Sequence, residues 1–240
     1  MSDGSTVMER VRVACPAVSV GMLTADLLSL GDEIRILENS GVNLVHFDVM
    51  DGCFCPMMTA GPPLIKAVKT SMLKDVHLMV QEPLEKIGAY VAAGADIITF
   101  HVESCKYPHR VLQELSEMTN VNDASAGIGR GIAVNPGTSL TEIEPLLDMV
   151  DIIFLLAINP GWGGQSFDRS TEKRIAEVLE MIRKHKTDIV LGVDGGIKKD
   201  NIRSVVEMGA DIIVTGSAVF DGGDVDGNAR FMLKEAASRH

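Results

Sequence analysis

Two histidines and two aspartates stand at the ends of apolar segments in this 240-residue chain. His46 and Asp48 close one apolar run, His77 lies in the next, and Asp194 closes another far downstream. Residues two positions apart on a strand point to the same face, so His46 and Asp48 can hold one ion together. Burying such groups without partners is costly. The sequence therefore predicts one divalent metal ion, bound by these four side chains and flanked by acid–base carboxylates.

The donor types narrow the choice of metal. Two imidazoles and two carboxylates form a mixed nitrogen and oxygen site, which suits Zn²⁺, Fe²⁺, Mn²⁺ or Co²⁺ better than Mg²⁺ or Ca²⁺. Taken alone, His77 is better explained as a buried core histidine and Asp194 as a capping residue. Four such residues at strand ends favour the metal site.

Three glycine-rich segments follow predicted strands in the last third of the chain. They contain Gly161, Trp162, Gly163, Gly164, Gly195, Gly196, Gly216 and Ser217. In α/β barrels the loops after the last strands commonly bind a phosphate through backbone N–H groups. One glycine pair would indicate only a turn, but three on neighbouring strand ends predict a phosphate site.

Three further residues are candidates for the pocket. Met50 and Met79 share the strand faces of the two candidate histidine ligands. Such methionines serve equally well as core packing or as an apolar lid that keeps water from a reactive intermediate. His101 ends another predicted strand and is expected to face the pocket.

Short apolar runs alternate with amphipathic segments along the chain. The runs, predicted as strands, cover residues 14–20, 44–50, 75–80, 96–102, 131–135, 151–159, 189–194 and 211–216. The predicted helices cover residues 25–39, 62–70, 83–93, 108–118, 139–147, 168–185, 199–208 and 227–237. Near-continuous apolar strands are typical of parallel sheets covered on both faces. We predict an α/β fold, a (β/α)8 TIM barrel forming one domain over residues 1–240, with a doubly wound open sheet as the alternative.

Composition excludes several classes of function. The net charge is −11 without basic clusters, which argues against nucleic acid and against anionic membrane surfaces as partners. No apolar run approaches the roughly 20 residues that span a bilayer. Four cysteines are few for a disulfide scaffold, and no secretory signal is visible, so we predict a cytoplasmic protein with reduced thiols.

Four segments together resemble the signature segments of the ribulose-phosphate 3-epimerase family. They are residues 44–52, 75–80, 159–167 and 193–196, and the likeness runs from about residue 15 to residue 220. The resemblance implies a barrel of the ribulose-phosphate-binding type with one divalent metal ion. It also implies the interconversion of D-ribulose 5-phosphate and D-xylulose 5-phosphate, and a homo-oligomer.

The resemblance also implies a role for each candidate residue. His46, Asp48, His77 and Asp194 would bind the metal, and the two aspartates would be the acid–base pair on opposite faces of the substrate. The glycine-rich loops would bind its phosphate. Removing the C3 proton beside the C2 carbonyl creates an enediolate, which a metal ion stabilises. Inversion then requires one carboxylate on each face.

Four residues depart from the usual family pattern near the expected sugar end of the pocket. Gly21 replaces a serine, Cys53 a histidine, Met57 an asparagine and Leu156 a methionine. When an enzyme loses side chains that hydrogen-bond a substrate hydroxyl, its preference among substrates changes. A hypothesis is therefore that the chain prefers another phosphorylated ketose, such as allulose 6-phosphate or a tetrulose phosphate.

Two other functions stay open from the sequence. A decarboxylase of a 3-keto sugar acid phosphate would need a lysine near the strand ends, and Lys66, Lys69 and Lys74 are not obviously placed for this. A non-catalytic sugar-phosphate binder is opposed by the intact pair of aspartates. Residues 119–130, rich in Asn, Ser and Gly, predict a flexible loop for which the sequence suggests no function.

Overall fold

Eight parallel strands close into a barrel in the computed structural model, which describes residues 4–185 and 187–238. The strands are β1 Ala17–Gly21, β2 Leu44–Met50, β3 Leu73–Met79, β4 Ile97–His101, β5 Gly129–Val134, β6 Ile152–Leu156, β7 Val190–Asp194 and β8 Ile212–Thr215. Each strand pairs with its neighbour in sequence, and β8 pairs with β1. The predicted (β/α)8 barrel is confirmed, and the open sheet is wrong. A single domain over residues 1–240 stays a prediction, whose residues 1–3, 186 and 239–240 lie outside the described ones.

Helices cover the outside of the barrel. They are α1 Val7–Ala14, α2 Leu30–Ser40, α3 Pro62–Ala67, α4 Ile87–Ala92, α5 Pro108–Glu117, α6 Ser170–His185, α7 Ile202–Glu207, α8 Ser217–Phe220 and α9 Val225–Ala236. The apolar faces of α2 to α9 pack on the outward Val, Ile and Leu side chains of the strands in one large buried cluster. This packing holds the strand ends, and hence the candidate site, in fixed positions. No described helix has both the length and the apolar character needed to cross a membrane.

The pairing of β2 with β3 brings four polar side chains together. His46 pairs with Asp75 and Asp48 pairs with His77, so all four lie on inward-pointing positions of adjacent strands. On the other side of the barrel, Leu156 of β6 pairs with Asp194 of β7.

Most of the remaining barrel interior is apolar. Phe154 of β6 fills its middle, where a Cβ on Gly192 of the next strand would lie 2.3 Å from the Phe154 ring. At the end where the strands begin, the interior is closed by α1, whose Val7 and Val11 belong to the same buried cluster as the inward side chains. The ionisable side chains inside the barrel therefore lie beyond this apolar layer, on the side where the strands finish.

Several predicted elements differ from those observed. The helix predicted over residues 139–147 is instead two short 3₁₀ turns, Leu140–Glu142 and Glu144–Leu146. Pro145 lies in the middle of the predicted helix, where it lacks the N–H that an α-helix needs. The helix predicted from residue 25 begins only at Leu30, after a 3₁₀ turn over Met22–Thr24. Helix α1 was not predicted at all.

Residues 119–130, predicted as a loop, lead into β5, which begins at Gly129. The side-chain amides of Asn120 and Asn122 both donate to Oδ1 of Asp96, at 3.0 and 2.9 Å. Asn120 also donates to the backbone carbonyl of Gly127. These bonds attach the segment to the start of β4.

Candidate active site

Four side chains converge at the end of the barrel where the strands finish. Donor atoms of His46, Asp48, His77 and Asp194 all lie within 4.8 Å of one another. Oδ1 of Asp48 is 3.4 Å from Nε2 of His46 and 3.4 Å from Nδ1 of His77. Oδ2 of Asp194 is 3.6 Å from the same Nδ1 of His77. These are the four residues that the sequence predicts as metal ligands.

The hydrogen bonding of the two histidines fits a metal ion. Nε2 of His46 and Nδ1 of His77, the nitrogens that face the carboxylates, are buried and have no hydrogen-bond partner. A buried polar atom without a partner is costly, and it is unusual in a well-packed protein. Two such nitrogens beside two carboxylates offer the nitrogen and oxygen donors that Zn²⁺, Fe²⁺, Mn²⁺ or Co²⁺ accept.

The outer nitrogen of His46 is bonded to a buried carboxylate. Its Nδ1 lies 2.7 Å from Oδ2 of Asp75, which also accepts the hydroxyl of Ser19 at 2.9 Å. Because an ionised carboxylate can only accept, Nδ1 of His46 carries a hydrogen, and in the neutral ring Nε2 presents its lone pair towards the site. Such a carboxylate behind a ligating histidine fixes the ring and raises its basicity.

The outer nitrogen of His77 meets another histidine. Nε2 of His77 lies 2.9 Å from Nε2 of His101, and Nδ1 of His101 lies 3.2 Å from Oε2 of Glu103. His101 is fully buried and lies behind His77, so it does not line the cavity that the sequence predicts it to face.

The electrostatic environment of the site favours positive charge. Burial alone would raise the pKa of Asp48, but the imidazoles of His46 and His77 outweigh it and hold that pKa well below its ordinary value. Burial alone would lower the pKa of His46, but Asp75 and Asp48 raise it well above its ordinary value. His77 is likewise raised in pKa against burial, chiefly by Asp194 and Asp48. By contrast, burial lowers the pKa of His101 to about 4, against the opposing effect of Glu103.

A cavity of about 380 Å³ opens over Asp48 and Asp194. It extends over the glycine-rich ends of β7 and β8. The predicted residues that line it, besides the two aspartates, are Gly21, Gly164, Gly195, Gly196, Gly216 and Ser217. Among its described lining residues Lys198 is the sole cation, so an anion there would depend largely on backbone N–H groups.

Two of these glycines are required by close contacts. Gly196 has a φ of +67°, and a Cβ on it would lie 2.4 Å from the backbone nitrogen of Phe167. A Cβ on Gly216 would lie 2.7 Å from Oγ1 of Thr24 and 2.8 Å from the carbonyl oxygen of Gly21. The backbone segments at these two glycines therefore pack closely against their neighbours beside the cavity.

The structure leaves part of the first glycine-rich segment outside the cavity. Gly161, Trp162 and Gly163 do not line it, and Trp162 is 57% exposed. Gly161 instead packs against Cys55, from which a Cβ would be 2.7 Å away. The amide of Gln165 donates to the carbonyls of residues 159 and 162 and so braces the loop.

The two methionines are buried together. Met50 and Met79 form a small apolar cluster with Cys55, on which Leu23 and Phe54 pack. They share the inward strand faces with the candidate ligands but do not line the cavity. The cluster covers one side of the site with apolar groups, which is compatible with either of the two predicted roles.

Of the residues that depart from the family pattern, only Gly21 lines the cavity. Cys53 is exposed, and Leu156 faces the barrel interior. Met57 lines an adjoining apolar pocket that shares Leu23 and Asp48 with the cavity. That these departures lie at or near the sugar end of the pocket stays a prediction. A Cβ on Gly21 would be no closer than 3.7 Å to any atom, so there is room for a side chain there.

The lysines considered for a decarboxylase lie far from this cavity. Lys66, Lys69 and Lys74 line a different cavity beside the first residues of β3 and β4. The ammonium of Lys74 donates to the carbonyl oxygen of Ile65 at 2.9 Å.

Comparison with known proteins decides the family. The sequence model of the ribulose-phosphate 3 epimerase family matches residues 17–220. The chain belongs to this family. The predicted resemblance and the predicted enzyme class, an epimerase among the isomerases, are thereby confirmed.

Individual relatives agree with this assignment. The chain is 40% identical over 210 residues to ribulose-phosphate 3-epimerase of Bacillus subtilis (strain 168), covering 86% of this chain and 93% of the relative. It is 38% identical to chloroplastic ribulose-5-phosphate-3-epimerase of Arabidopsis thaliana, covering 86% and 72%. A crystal structure of 3-hexulose-6-phosphate synthase from Salmonella typhimurium matches with a TM-score of 0.67 at 16% identity, covering 93% and 100%. That structural likeness shows the fold alone.

Sequence reasoning missed two residues at this site. Asp75 stands two positions before His77 on β3, and the same alternation that pairs His46 with Asp48 would have placed it inside the barrel. Lys198 follows the Asp194-Gly195-Gly196 turn, but nothing in its sequence surroundings distinguishes it from other exposed lysines.

Proposed function

We propose that this chain is a metal-dependent 3-epimerase of a phosphorylated ketose, with D-ribulose 5-phosphate and D-xylulose 5-phosphate as its substrate pair. The observation that carries the proposal is the convergence of two carboxylates on unpartnered, inward-facing histidine nitrogens below a glycine-lined cavity. Membership of the epimerase family supports the choice of reaction.

His46, Asp48, His77 and Asp194 would hold the metal ion. When bound, a divalent ion there supplies Lewis-acid stabilisation of negative charge on the C2 and C3 oxygens of the ketose. Asp75 keeps Nε2 of His46 available as a ligand by accepting the hydrogen of Nδ1.

Asp48 and Asp194 are the proposed acid–base pair. Their carboxylates belong to strands separated by β1 and β8, so a substrate in the cavity would lie between them. One carboxylate takes the C3 proton and leaves an enediolate, and the other returns a proton to the opposite face. The lowered pKa of Asp48 keeps that carboxylate in its ionised form.

The glycine-lined part of the cavity would bind the phosphate. Gly195, Gly196, Gly216 and Ser217 bring backbone N–H groups to its lining, and the Lys198 ammonium adds the positive charge. The distance between this phosphate site and the two aspartates would then determine which length of ketose phosphate places its carbonyl correctly. Because Gly21 leaves space where the family usually has serine, a ketohexose 6-phosphate or a tetrulose phosphate is the second candidate substrate.

Epimerisation assays with defined metal content test this function. Protein stripped by a chelator is reloaded separately with Zn²⁺, Fe²⁺, Mn²⁺ or Co²⁺ and offered pentulose, hexulose and tetrulose phosphates. We expect turnover only in loaded protein, and a loss of about 100-fold or more in Asp194→Asn. Asp148→Asn, an exposed aspartate with no role at the site, is the control. Turnover equal to wild type in Asp194→Asn, or in stripped protein, contradicts the proposal.

A homo-oligomer and a cytoplasmic location stay predictions. For the oligomer, we expect a second copy of the chain to cover the exposed apolar side chains of Leu27, Leu28, Met57 and Met58. Leu27 lines one shallow apolar pocket with both methionines and another with Leu28, so the four form a continuous patch.

A further inference from the structure

A chain of polar side chains runs outward from the site behind His77. Nδ1 of His77 faces the carboxylates of Asp48 and Asp194, while its Nε2 lies 2.9 Å from Nε2 of His101. Nδ1 of His101 lies 3.2 Å from Oε2 of Glu103. The two rings are stacked with centroids 4.9 Å apart, and both are buried. The contact between the two rings is therefore closed to water.

Glu103 is fixed from its other side. It lies in the 3₁₀ turn Val102–Ser104 that follows β4, and its Oε1 accepts the backbone N–H of Asn135 at 2.8 Å. The guanidinium of Arg174 donates to the backbone carbonyls of Asn135 and Thr138. Glu103 is thereby oriented so that its second oxygen meets His101.

The hydrogen positions on Glu103, His101 and His77 follow from counting hydrogen-bond donors and acceptors. An ionised carboxylate only accepts, so Nδ1 of His101 carries a hydrogen. A neutral imidazole carries one ring hydrogen, so a neutral His101 that donates to Glu103 through Nδ1 presents a lone pair at Nε2. The single hydrogen between the two Nε2 atoms then belongs to His77. In a neutral His77 ring, Nδ1 is then left with a lone pair that faces the two carboxylates.

We propose that Glu103 is a positioning residue that acts through His101 to fix the one tautomer of His77 able to bind a metal through Nδ1. The inference rests on the metal site proposed above. Asp75 has the equivalent effect on His46 through a direct bond of 2.7 Å. The shared result is that each histidine, once neutral, presents its inward nitrogen as the ligand.

Substitutions of Glu103 and of His101 interrupt this series of hydrogen bonds at different points, so the contribution of each residue can be measured separately. Glu103→Gln keeps the shape of the side chain but can either donate to or accept from His101. The substitution therefore no longer dictates which nitrogen of His101 carries the hydrogen. His101→Phe removes the acceptor of His77 without changing the net charge. Glu85→Gln removes an exposed carboxylate outside the site and is the charge-matched control.

The first measurement needs no metal. Long-range ¹H–¹⁵N correlation spectra of metal-free protein with labelled histidine, recorded at alkaline pH where the rings are neutral, report which ring nitrogen carries hydrogen. Signals are assigned by their loss in His77→Asn and in His101→Phe. We expect hydrogen on Nε2 of His77 and on Nδ1 of His101 in the wild type, and mixed tautomers of His77 in Glu103→Gln. A neutral His77 ring that carries its hydrogen on Nδ1 in the wild type overturns the inference.

The second measurement is the metal dissociation constant by calorimetry, with circular dichroism to verify that each variant is folded. We expect affinity to fall roughly 10- to 100-fold in both Glu103→Gln and His101→Phe and to stay unchanged in Glu85→Gln. A loss in Glu103→Gln alone indicates a simple charge effect and overturns the inference, as do unchanged affinities in both variants. Wild-type protein that binds no divalent metal would instead overturn the proposed function, while the tautomer measurement still decides the role of Glu103.

Discussion

The carboxylates of Asp48 and Asp194 flank one ring nitrogen of His77: Oδ1 of Asp48 lies 3.4 Å and Oδ2 of Asp194 3.6 Å from its Nδ1. The two aspartates come from β2 and β7, whereas His77 belongs to β3. Both carboxylates therefore lie close to the same atom, Nδ1 of His77. Ligand binding and proton transfer are proposed for the same two aspartates, so the metal and the reacting carbon must lie within a few ångströms of each other.

Gly196 offers a test of the proposed phosphate site. In Gly196→Ala the new methyl group would meet the backbone nitrogen of Phe167 at 2.4 Å, so the loop after β7 must shift. A displacement of about 1 Å near a reacting group can reduce turnover about 100-fold. We expect a loss in kcat/KM of this order, with KM for the phosphorylated ketose raised.

The matched control for that experiment is Gly163→Ala, since a Cβ on Gly163 meets no atom within 4 Å. We expect its kinetics to resemble the wild type. Equal losses in the two variants would show that the effect is a general disturbance of glycine loops, and an unaffected Gly196→Ala would remove the proposed phosphate site.

Protons and metal should compete for the site. His46 and His77 have raised pKa values, so they hold protons more tightly than free imidazoles, and a metal ion must displace those protons. Metal affinity should therefore be highest at alkaline pH and fall as pH decreases, by roughly tenfold per pH unit for each proton displaced. Calorimetry between about pH 6 and about pH 8 in buffers of different ionisation enthalpy counts these protons. Affinity independent of pH would contradict this charge arrangement.

Gly21 should influence the choice among ketose phosphates. Gly21→Ser places a hydroxyl at the edge of the cavity without a clash, because the nearest atom is 3.7 Å from the new Cβ. One additional hydrogen bond is worth about 1 kcal/mol, which corresponds to roughly fivefold in kcat/KM. We expect that gain for D-ribulose 5-phosphate relative to a hexulose 6-phosphate. Gly21→Ala, which adds the methylene position without the hydroxyl, should leave the ratio unchanged, and an equal shift in both variants would indicate an effect of size alone.

Leu28 and Met58 test the proposed assembly. Leu28 is 99% exposed and Met58 79% exposed, and charge at either position would oppose burial against a second copy. We expect light scattering to show a homo-oligomer for the wild type and a smaller species for Leu28→Asp and Met58→Asp. Val13→Asp, on α1 at the other end of the barrel and 88% exposed, is the control. A monomeric wild type, or oligomers unchanged in the two test variants, would contradict the assignment of this patch.

The elements that the sequence predicted best are those whose pattern has one explanation. Strand β2 was predicted over residues 44–50 and runs over Leu44–Met50, because a buried apolar run interrupted by His46 and Asp48 on one face fits a strand and little else. Helix α1 escaped prediction because its short polar segment buries Val7 and Val11 only against the barrel end, a contact that exists only in the folded protein. In the same way, the sequence grouped the four candidate ligands but could not show that Asp75 and His101 lie behind them.

The most direct test of the account is exchange of the C3 hydrogen with solvent. Metal-loaded wild-type protein is incubated in D₂O with D-ribulose 5-phosphate, and the substrate and product are followed by NMR. Two carboxylates that remove and return a proton at one carbon predict deuterium at C3 together with accumulation of D-xylulose 5-phosphate. Accumulation of the epimer with the original hydrogen retained at C3, or no exchange with any ketose phosphate despite bound metal, would contradict it.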